Sequence, residues 1–484
     1  MGVTAMDYPD MQFASLAAAG DMDALVGALQ KALTAGTGTD SASFTGGRAL
    51  VMESLEGTLQ DVLFTEDHIK LFKKLKTTPL YATVDEWNVR DDYGGEFGTA
   101  VAETVNPPLA TGNYERKFGY CAYYRDRREI SHVLTQLKTI TPEAMAAEEQ
   151  AATRRLLSHV ERDLFIGDRT IFPERIQGLQ SSIMEAAAAY DSQLIYDMHG
   201  TPITTQAPFH RLQSIVYKQG GRLTDFYYPA EVQADVDNAL ADQQRIVVPV
   251  QSADGKIIHG ASQNALRTAH GDLAFESDIF VRAGWDMVAL DEANVADEAL
   301  APATPTVNSV TGNAGTIATQ ANLPAGVYQV RVAAVNGYGE SAATAADEVT
   351  LVATNTIRIT VTRAAATTTG YRVYLSAVGG DAADCRFHEE VACTAAQQVI
   401  ELDGTWVTGT ACAYGLDLAP GHNAVDFRQL FPLSKMDYAM VSPVFPFVVQ
   451  FYGLLRVMKP NWNAMITNIL PEGVLNLGWN PLGA

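Results

Sequence analysis

Apolar and polar positions change rhythm several times along this chain, and each change predicts a different kind of element. Over residues 11–35, Leu16, Leu25, Val26, Leu29 and Leu33 recur at helical spacing, and "TAGTGTDSASFTGG" then has the composition of a flexible linker. Residues 48–79 read as short helices in a lead-in arm. From 80 to 130 the period becomes two: "LYATVDEWNVRDD" and "YERKFGYCAYYRD" are rich in aromatic and β-branched residues, with Phe118, Tyr120, Ala122 and Tyr124 on one face. Between them "YGGEFGTAVAETVNPPLATGN" is dense in Gly, Pro and Asn, so the pair predicts an extended hairpin with no local core, of the kind that leans on a neighbouring molecule.

Helical spacing returns in "TPEAMAAEEQAATRRLLSHVERDLFIGD". Thr141 is an N-cap candidate, Pro142 suits the first turn and Glu143 the positive end of the dipole. Leu156, Val160 and Leu164 share a face, and Gly167 is placed to end a helix over 141–167. Residues 200–299 alternate helix and strand signals: a helix around "PFHRLQSIVYKQGG", the strand "DFYYP", the helix "AEVQADVDNALADQQ", then "RIVVPV" and loops ending in "DIFVRAG". Beyond the linker "APATPTV", strand candidates follow at short intervals: "VYQVRVAAVN", "EVTLVA", "NTIRITVTR", "GYRVYLSAV", "RFHEEVACT" and "QQVIELDG". They predict a β-sandwich over 300–415, inserted into or near the end of another domain. After 416 the style of the segments before 300 comes back.

Composition narrows the function classes. With 484 residues, 47% of them hydrophobic, the chain can bury several cores. A formal charge of −22 argues against a protein that grips nucleic acid or an anionic membrane, though not against a wall that encloses DNA. No apolar run approaches the roughly 18–20 residues that span a bilayer, and no basic residue precedes Lys31, which speaks against a signal peptide. The expectation is a protein used without export. Cys121, Cys385, Cys393 and Cys412 form no CxxC; a bridge among the last three stays open beside the plainer reading of free thiols.

The chain carries no phosphate-binding glycine loop, GxSxG or HExxH. His388-Glu389-Glu390 starts like a zinc helix but sits in a strand candidate and has no second histidine four residues on. Asp235 and Asp237 read as solvated charges on a helix, and Ser262 beside His259 as a polar loop. Glu148, Glu149, Arg154, Arg155, Arg162 and Asp163 read as ion-pairing groups on a solvated or subunit-facing helix surface. Arg125, Arg127 and Arg128 alternate with Asp126 and Glu129, a pattern that suits inter-subunit ion pairs. The expectation is no enzyme, no catalytic residue, no metal and no cofactor.

The order of parts (arm, unsupported hairpin, very long helix, α+β domain, return segment) resembles the major capsid proteins of tailed bacteriophages, the Hong Kong 97-type fold also found in encapsulin shells. The resemblance implies an α+β chain with an N-terminal arm at 1–79 and the E-loop hairpin and flanking strands at 80–130. A peripheral domain with the spine helix would follow at 131–199, an axial domain at 200–299, an immunoglobulin- or fibronectin-type-III-like sandwich at 300–415, and a C-terminal segment at 416–484 completing the core. It implies inter-subunit contacts through Trp87, Arg90, Tyr93, Gly94, Gly95, Arg125, Arg127 and Arg128. It also implies hexamers and pentamers in an icosahedral shell around double-stranded DNA, with scaffold, portal and decoration proteins as partners and no membrane. The place would be the virion capsid, assembled in the bacterial host cytoplasm. Lys117 is a candidate for the lysine–asparagine crosslink of some relatives. In "LPAGVYQVRVAAVNGYGES", Leu323, Pro324 and Tyr328 look like a tyrosine corner, in which the phenol bonds backbone. The strand order departs from that family, and deleting 302–415 should spare the rest if the sandwich is decoration. The alternatives are an encapsulin-like shell around protein cargo, or an exported adhesin or carbohydrate-active enzyme with a fibronectin-like accessory module, which calls for a signal peptide.

Overall fold

A computed structural model describes residues 64–95, 97–136, 144–241, 250–251, 257–258, 264–313, 323–352, 355–440 and 442–483. The helix expected at 11–35, the linker after it, Thr141, Pro142, Glu143, His259 and Ser262 lie outside these residues, as does most of "RIVVPV".

The long helix runs over Ala144–Ile166, about 35 Å at 1.5 Å per residue. Leu156, Val160 and Leu164 are all buried, as their spacing predicts. Beside it lies a four-stranded sheet in the order Thr77–Pro79, Val425–Asp437, Val444–Val457, Ala122–Ser131. Phe427 and Phe451 stack across its two longest strands at 5.4 Å, and Phe72 closes edge-on over both. Such edge-to-face contacts add to the burial of the rings themselves.

A second, six-stranded sheet is ordered Ile195–Thr201, Ala464–Ile469, Ala411–Leu416, Asp225–Tyr228, Gly271–Ser277, Ala265–Thr268. Its central strands are buried on both faces, which explains their unbroken apolar and aromatic runs. Helix Ala207–Lys218 covers it, with Phe209 edge-on to Phe226 at 5.1 Å. This sheet gathers strands from well outside 200–299.

The residues after 300 form two facing sheets. In one, Gly326–Asn336 pairs with Asp347–Leu351, Gly339–Glu340 and Gly370–Leu375, and the last pairs with Arg386–Ala392. The other is Thr306–Asn313, Thr356–Thr362 and Gln397–Leu402. Tyr328, Val330, Val332 and Val373 from the first meet Ile357, Ile359, Val361 and Ile400 from the second in one core. All six expected strands are present; Thr306–Asn313 is additional, a polar edge strand with little apolar alternation to announce it.

Four expectations need correcting. The boundary at 415 falls wrongly, because Ala411–Leu416 is an inner strand of the six-stranded sheet. The sandwich is also bonded to its surroundings: Glu390 pairs with Arg282 at 3.6 Å, and Val335 packs on Ile171 and Phe172. "YERKFGYCAYYRD" is not one strand. Asn113–Tyr120 stops before Cys121 and Ala122–Ser131 starts after it in another sheet, so Phe118 and Tyr120 face solvent while Ala122 is buried. Finally, Asp163 and Asp235 are buried rather than solvated. Asp163 accepts from the Tyr124 hydroxyl at 2.7 Å, and Asp235 from the Glu472 N–H at 3.1 Å.

Candidate assembly surface

Strands Val84–Asp92 and Asn113–Tyr120 pair with each other in antiparallel register from Val84↔Tyr120 to Asp92↔Asn113, and form a sheet of two. Their base is fixed. Asp85 receives Arg428 at 3.3 Å and Arg456 at 3.4 Å, and Arg456 is also held by buried Asp426. Trp87 lies half-buried across Gly119, where a Cβ would meet both Trp87 and Leu454. Outward from there support ends. Glu86, Asn88, Arg90, Tyr114, Arg116 and Phe118 are exposed.

The turn after the first strand is built locally. Asp92 Oδ1 accepts the N–H groups of Gly94 and Gly95 at 3.1 Å each, which holds its carboxyl below the usual range. Both glycines have positive φ, +114° and +87°, which side chains with a Cβ rarely adopt. The Arg90 guanidinium lies 4.4 Å from the centroid of the Tyr93 ring. Beyond the turn, Phe97 is 87% and Leu109 96% exposed. Thus Arg90, Tyr93, Gly94 and Gly95 form one structured turn, while Phe97 and Leu109 in the loop beyond it are left almost fully exposed.

The arginine strand behaves differently. Arg125 donates to the Tyr452 hydroxyl at 2.7 Å, Arg127 pairs with Glu129, and Arg128 pairs with Asp126 at 3.1 Å and Glu148 at 3.3 Å. Each finds a partner within its own chain. Along the helix, Arg155 reaches Asp126 at 2.9 Å and Glu149 receives Lys435 at 3.3 Å. Lys117 pairs loosely with Glu115 at 3.7 Å. Pattern alone could not separate these intrachain partners from intersubunit ones, since Tyr452 and Lys435 lie some 300 residues away in sequence.

A cavity of about 180 Å³ lies among Gln180, Arg282, His388, Glu389, Cys412 and Tyr414. Its titratable groups are shifted by burial. Burial lowers His388 to about 4, raises Glu389 to about 8 and raises the Cys412 thiol to about 12, so a thiolate nucleophile is not supplied at neutral pH. His388 Nδ1 is engaged by the Thr408 hydroxyl at 2.9 Å. All four cysteines are free thiols, and among the described residues no group of three or more His, Cys, Asp or Glu is placed to hold a metal. No described helix is long and apolar enough to cross a membrane.

No protein-family profile matches the chain. It is 24% identical over 219 residues to a protein named "Putative major capsid protein" from Enterococcus phage phiEF24C, covering 45% of this chain and 47% of that one. The chain therefore spans about half the length of the curated relative it matches. Among solved structures, the capsid of a native GTA particle aligns with 89% of this chain and 98% of its own at TM-score 0.45 and 11% identity. A solved structure from Mycobacterium phage Adephagia aligns at TM-score 0.44 and 7% identity over 89% of this chain and 98% of that chain. The holo-SrpI encapsulin complex from Synechococcus elongatus PCC 7942 aligns at TM-score 0.40 and 10% identity over 89% of this chain and 97% of that chain.

Proposed function

We propose that this chain is a major capsid protein, a structural subunit that assembles with its own copies into a shell around double-stranded DNA. The observation that carries the reading is the hairpin: a rigid base, a structured turn, and exposed Phe97 and Leu109 beyond any core of its own. Exposed apolar groups on a reaching element are stabilised when a neighbour covers them. The similarity to the phage protein supports the same reading. In it, Trp87, Arg90, Tyr93, Gly94 and Gly95 present the contact surface, with Arg125, Arg127 and Arg128 at its flank. Subunits form hexamers and pentamers, scaffold, portal and decoration proteins complete the head in the host cytoplasm, and the net-negative wall encloses the genome without gripping it. The two-sheet sandwich is an immunoglobulin-like module facing outward; the bond from the Tyr328 hydroxyl to the Pro324 carbonyl, 2.9 Å, is the tyrosine-corner contact that supports this.

The test is negative-stain electron microscopy and sedimentation of the chain expressed alone and with its head genes, beside a deletion of 91–112. Closed shells or capsomer rings from the intact chain, and folded subunits without shells from the deletion, are expected. Normal particles from the deletion would sink the role of the hairpin. A monomer under every condition would sink the capsid reading.

A further inference from the structure

A crevice of about 690 Å³ lies between the sandwich and the long helix. Four elements wall it, and each supplies an arginine: Arg125 from strand Ala122–Ser131, Arg162 from the helix, Arg175 from the 167–178 segment and Arg372 from strand Gly370–Leu375. Four carboxylates line it as well, Asp163, Asp168, Glu174 and Glu390, so the pairing decides which charges remain available.

Glu390 is shared by Arg372 at 3.0 Å and Arg282 at 3.6 Å, and Arg372 also holds Glu340 at 2.6 Å, so these four groups balance. Asp163 pairs with Arg175 at 3.6 Å and accepts from the Tyr124 hydroxyl at 2.7 Å. Asp168 is turned into its own loop, where Oδ1 accepts the N–H and the hydroxyl of Thr170 at 2.8 and 2.7 Å. Glu174 is exposed, with its carboxylate beside Gly337. Two guanidinium groups are left over. Arg125 donates to a neutral partner, the Tyr452 hydroxyl. Arg162 is exposed and, among the described residues, has no hydrogen-bond acceptor and no carboxylate within ion-pair distance. Burial lowers the Arg162 guanidinium first; Asp163 offsets part of this, and the like charges of Arg175 and Arg372 lower it further. His159, about one helical turn earlier and also lining the crevice, is lowered to about 4 by burial and then by Arg162, Arg155 and Arg175. Around Arg162, positive charge is in excess.

We propose that this crevice binds a di- or triphosphate group, held by Arg162, Arg125 and Arg175, with Arg372 reaching it from the sandwich. Guanidinium forks match phosphate oxygens two at a time. Donors arriving from four elements suit a tetrahedral group, whose oxygens point in several directions, better than a planar carboxylate. The volume falls within the range of small-molecule pockets, about 300–1,000 Å³. It therefore leaves room for the body of a phosphate ester beside Tyr338, whose ring lines the crevice and is 48% exposed. Free polyphosphate and a nucleotide share the recognised group. Because Arg372 belongs to the sandwich and the other three arginines to the body, an occupied site ties the two together. The site belongs to the single chain and does not depend on whether that chain builds a shell.

Isothermal titration of the full-length chain at fixed ionic strength tests it, with inorganic pyrophosphate, a nucleoside triphosphate and citrate as probes. The phosphate probes should bind at least about tenfold more tightly than citrate, a carboxylate of similar charge. Arg162→Gln removes a guanidinium bonded to nothing in the chain, so the fold should persist while affinity falls at least about tenfold. Glu174→Gln, which removes an opposing charge, should bind more tightly, and Arg211→Gln, outside the crevice, should bind as the wild type does. A triphosphate that outbinds pyrophosphate assigns the site to a nucleotide; equal affinity assigns it to free polyphosphate. Absence of binding by both phosphate probes, citrate binding as tight as theirs, wild-type affinity in Arg162→Gln, or an equal loss in Arg211→Gln would each overturn the proposal.

Discussion

At Gly167 the chain leaves the long helix under a steric constraint. A Cβ there would lie 2.2 Å from the Ile176 carbonyl oxygen and 2.5 Å from that of Asp163, because the 176–178 segment crosses directly over the helix end and Gly178 N–H donates to Gly167 at 2.7 Å. Gly167→Ala should cost about 3 kcal/mol, the upper end for overpacking against backbone that cannot yield, seen as a lower urea midpoint with unchanged slope. Tyr328→Phe removes one neutral hydrogen bond and should cost only about 1 kcal/mol by the same measurement. The position of Gly167 as a helix end is legible in the sequence, but its reason is not: φ there is not positive, and the obstruction comes from a later turn. Asp163 shows the same limit. It reads as a solvated or subunit-facing charge, and what buries it is Tyr124 with Arg175, contacts no local pattern encodes; Glu161, buried under the backbone of 70–72, gives no local signal at all.

At the scale of elements, alternation revealed which segments are strands but not how they connect. The period of two through Phe118–Tyr124 is real; its phase flips at Cys121, where the chain passes from the hairpin to the four-stranded sheet. The hairpin itself was readable because Gly, Pro and Asn between aromatic strands leave nothing local to bury. Phe97→Ser with Leu109→Ser should leave subunit stability within about 0.5 kcal/mol, since both side chains are already solvated, yet reduce shell yield in sedimentation; an unchanged yield would separate these residues from assembly. The sandwich boundary invites a sharper comparison. Removing 302–415 takes away all but the last residue of Ala411–Leu416, which lies between two partners in the six-stranded sheet, and should give insoluble chain. Removing 302–403 leaves that strand in place and should give more soluble product, at the expense of exposing Ile171 and Phe172. Equal solubility of the two deletions would mean the strand is dispensable.

Across the whole molecule the buried titratable groups set a pH dependence that net charge alone does not. Glu161 and Glu389 are both raised to about 8 by burial, so between about pH 4.5 and 8 the folded chain holds protons that the unfolded chain has released, and stability falls as pH rises. His388, lowered to about 4, works the other way: between about 4 and 6.5 the unfolded chain binds a proton the folded one excludes, and stability rises with pH. The histidine offsets one carboxyl up to about pH 6.5, and above that both carboxyls act unopposed. Each proton is worth at most about 1.4 kcal/mol per pH unit, less for Glu389, which borders the cavity. The thermal midpoint of the free subunit should therefore peak on the acid side of neutrality, near pH 5, and decline most steeply between 6.5 and 8. Self-repulsion of a chain carrying −22 charges pushes the same way, but acts over long range and is screened by salt, whereas the buried carboxyls are not. Melting curves across pH at about 0.5 M salt should keep the decline, and Glu389→Gln should remove part of it. A decline abolished by salt would assign it to surface charge instead.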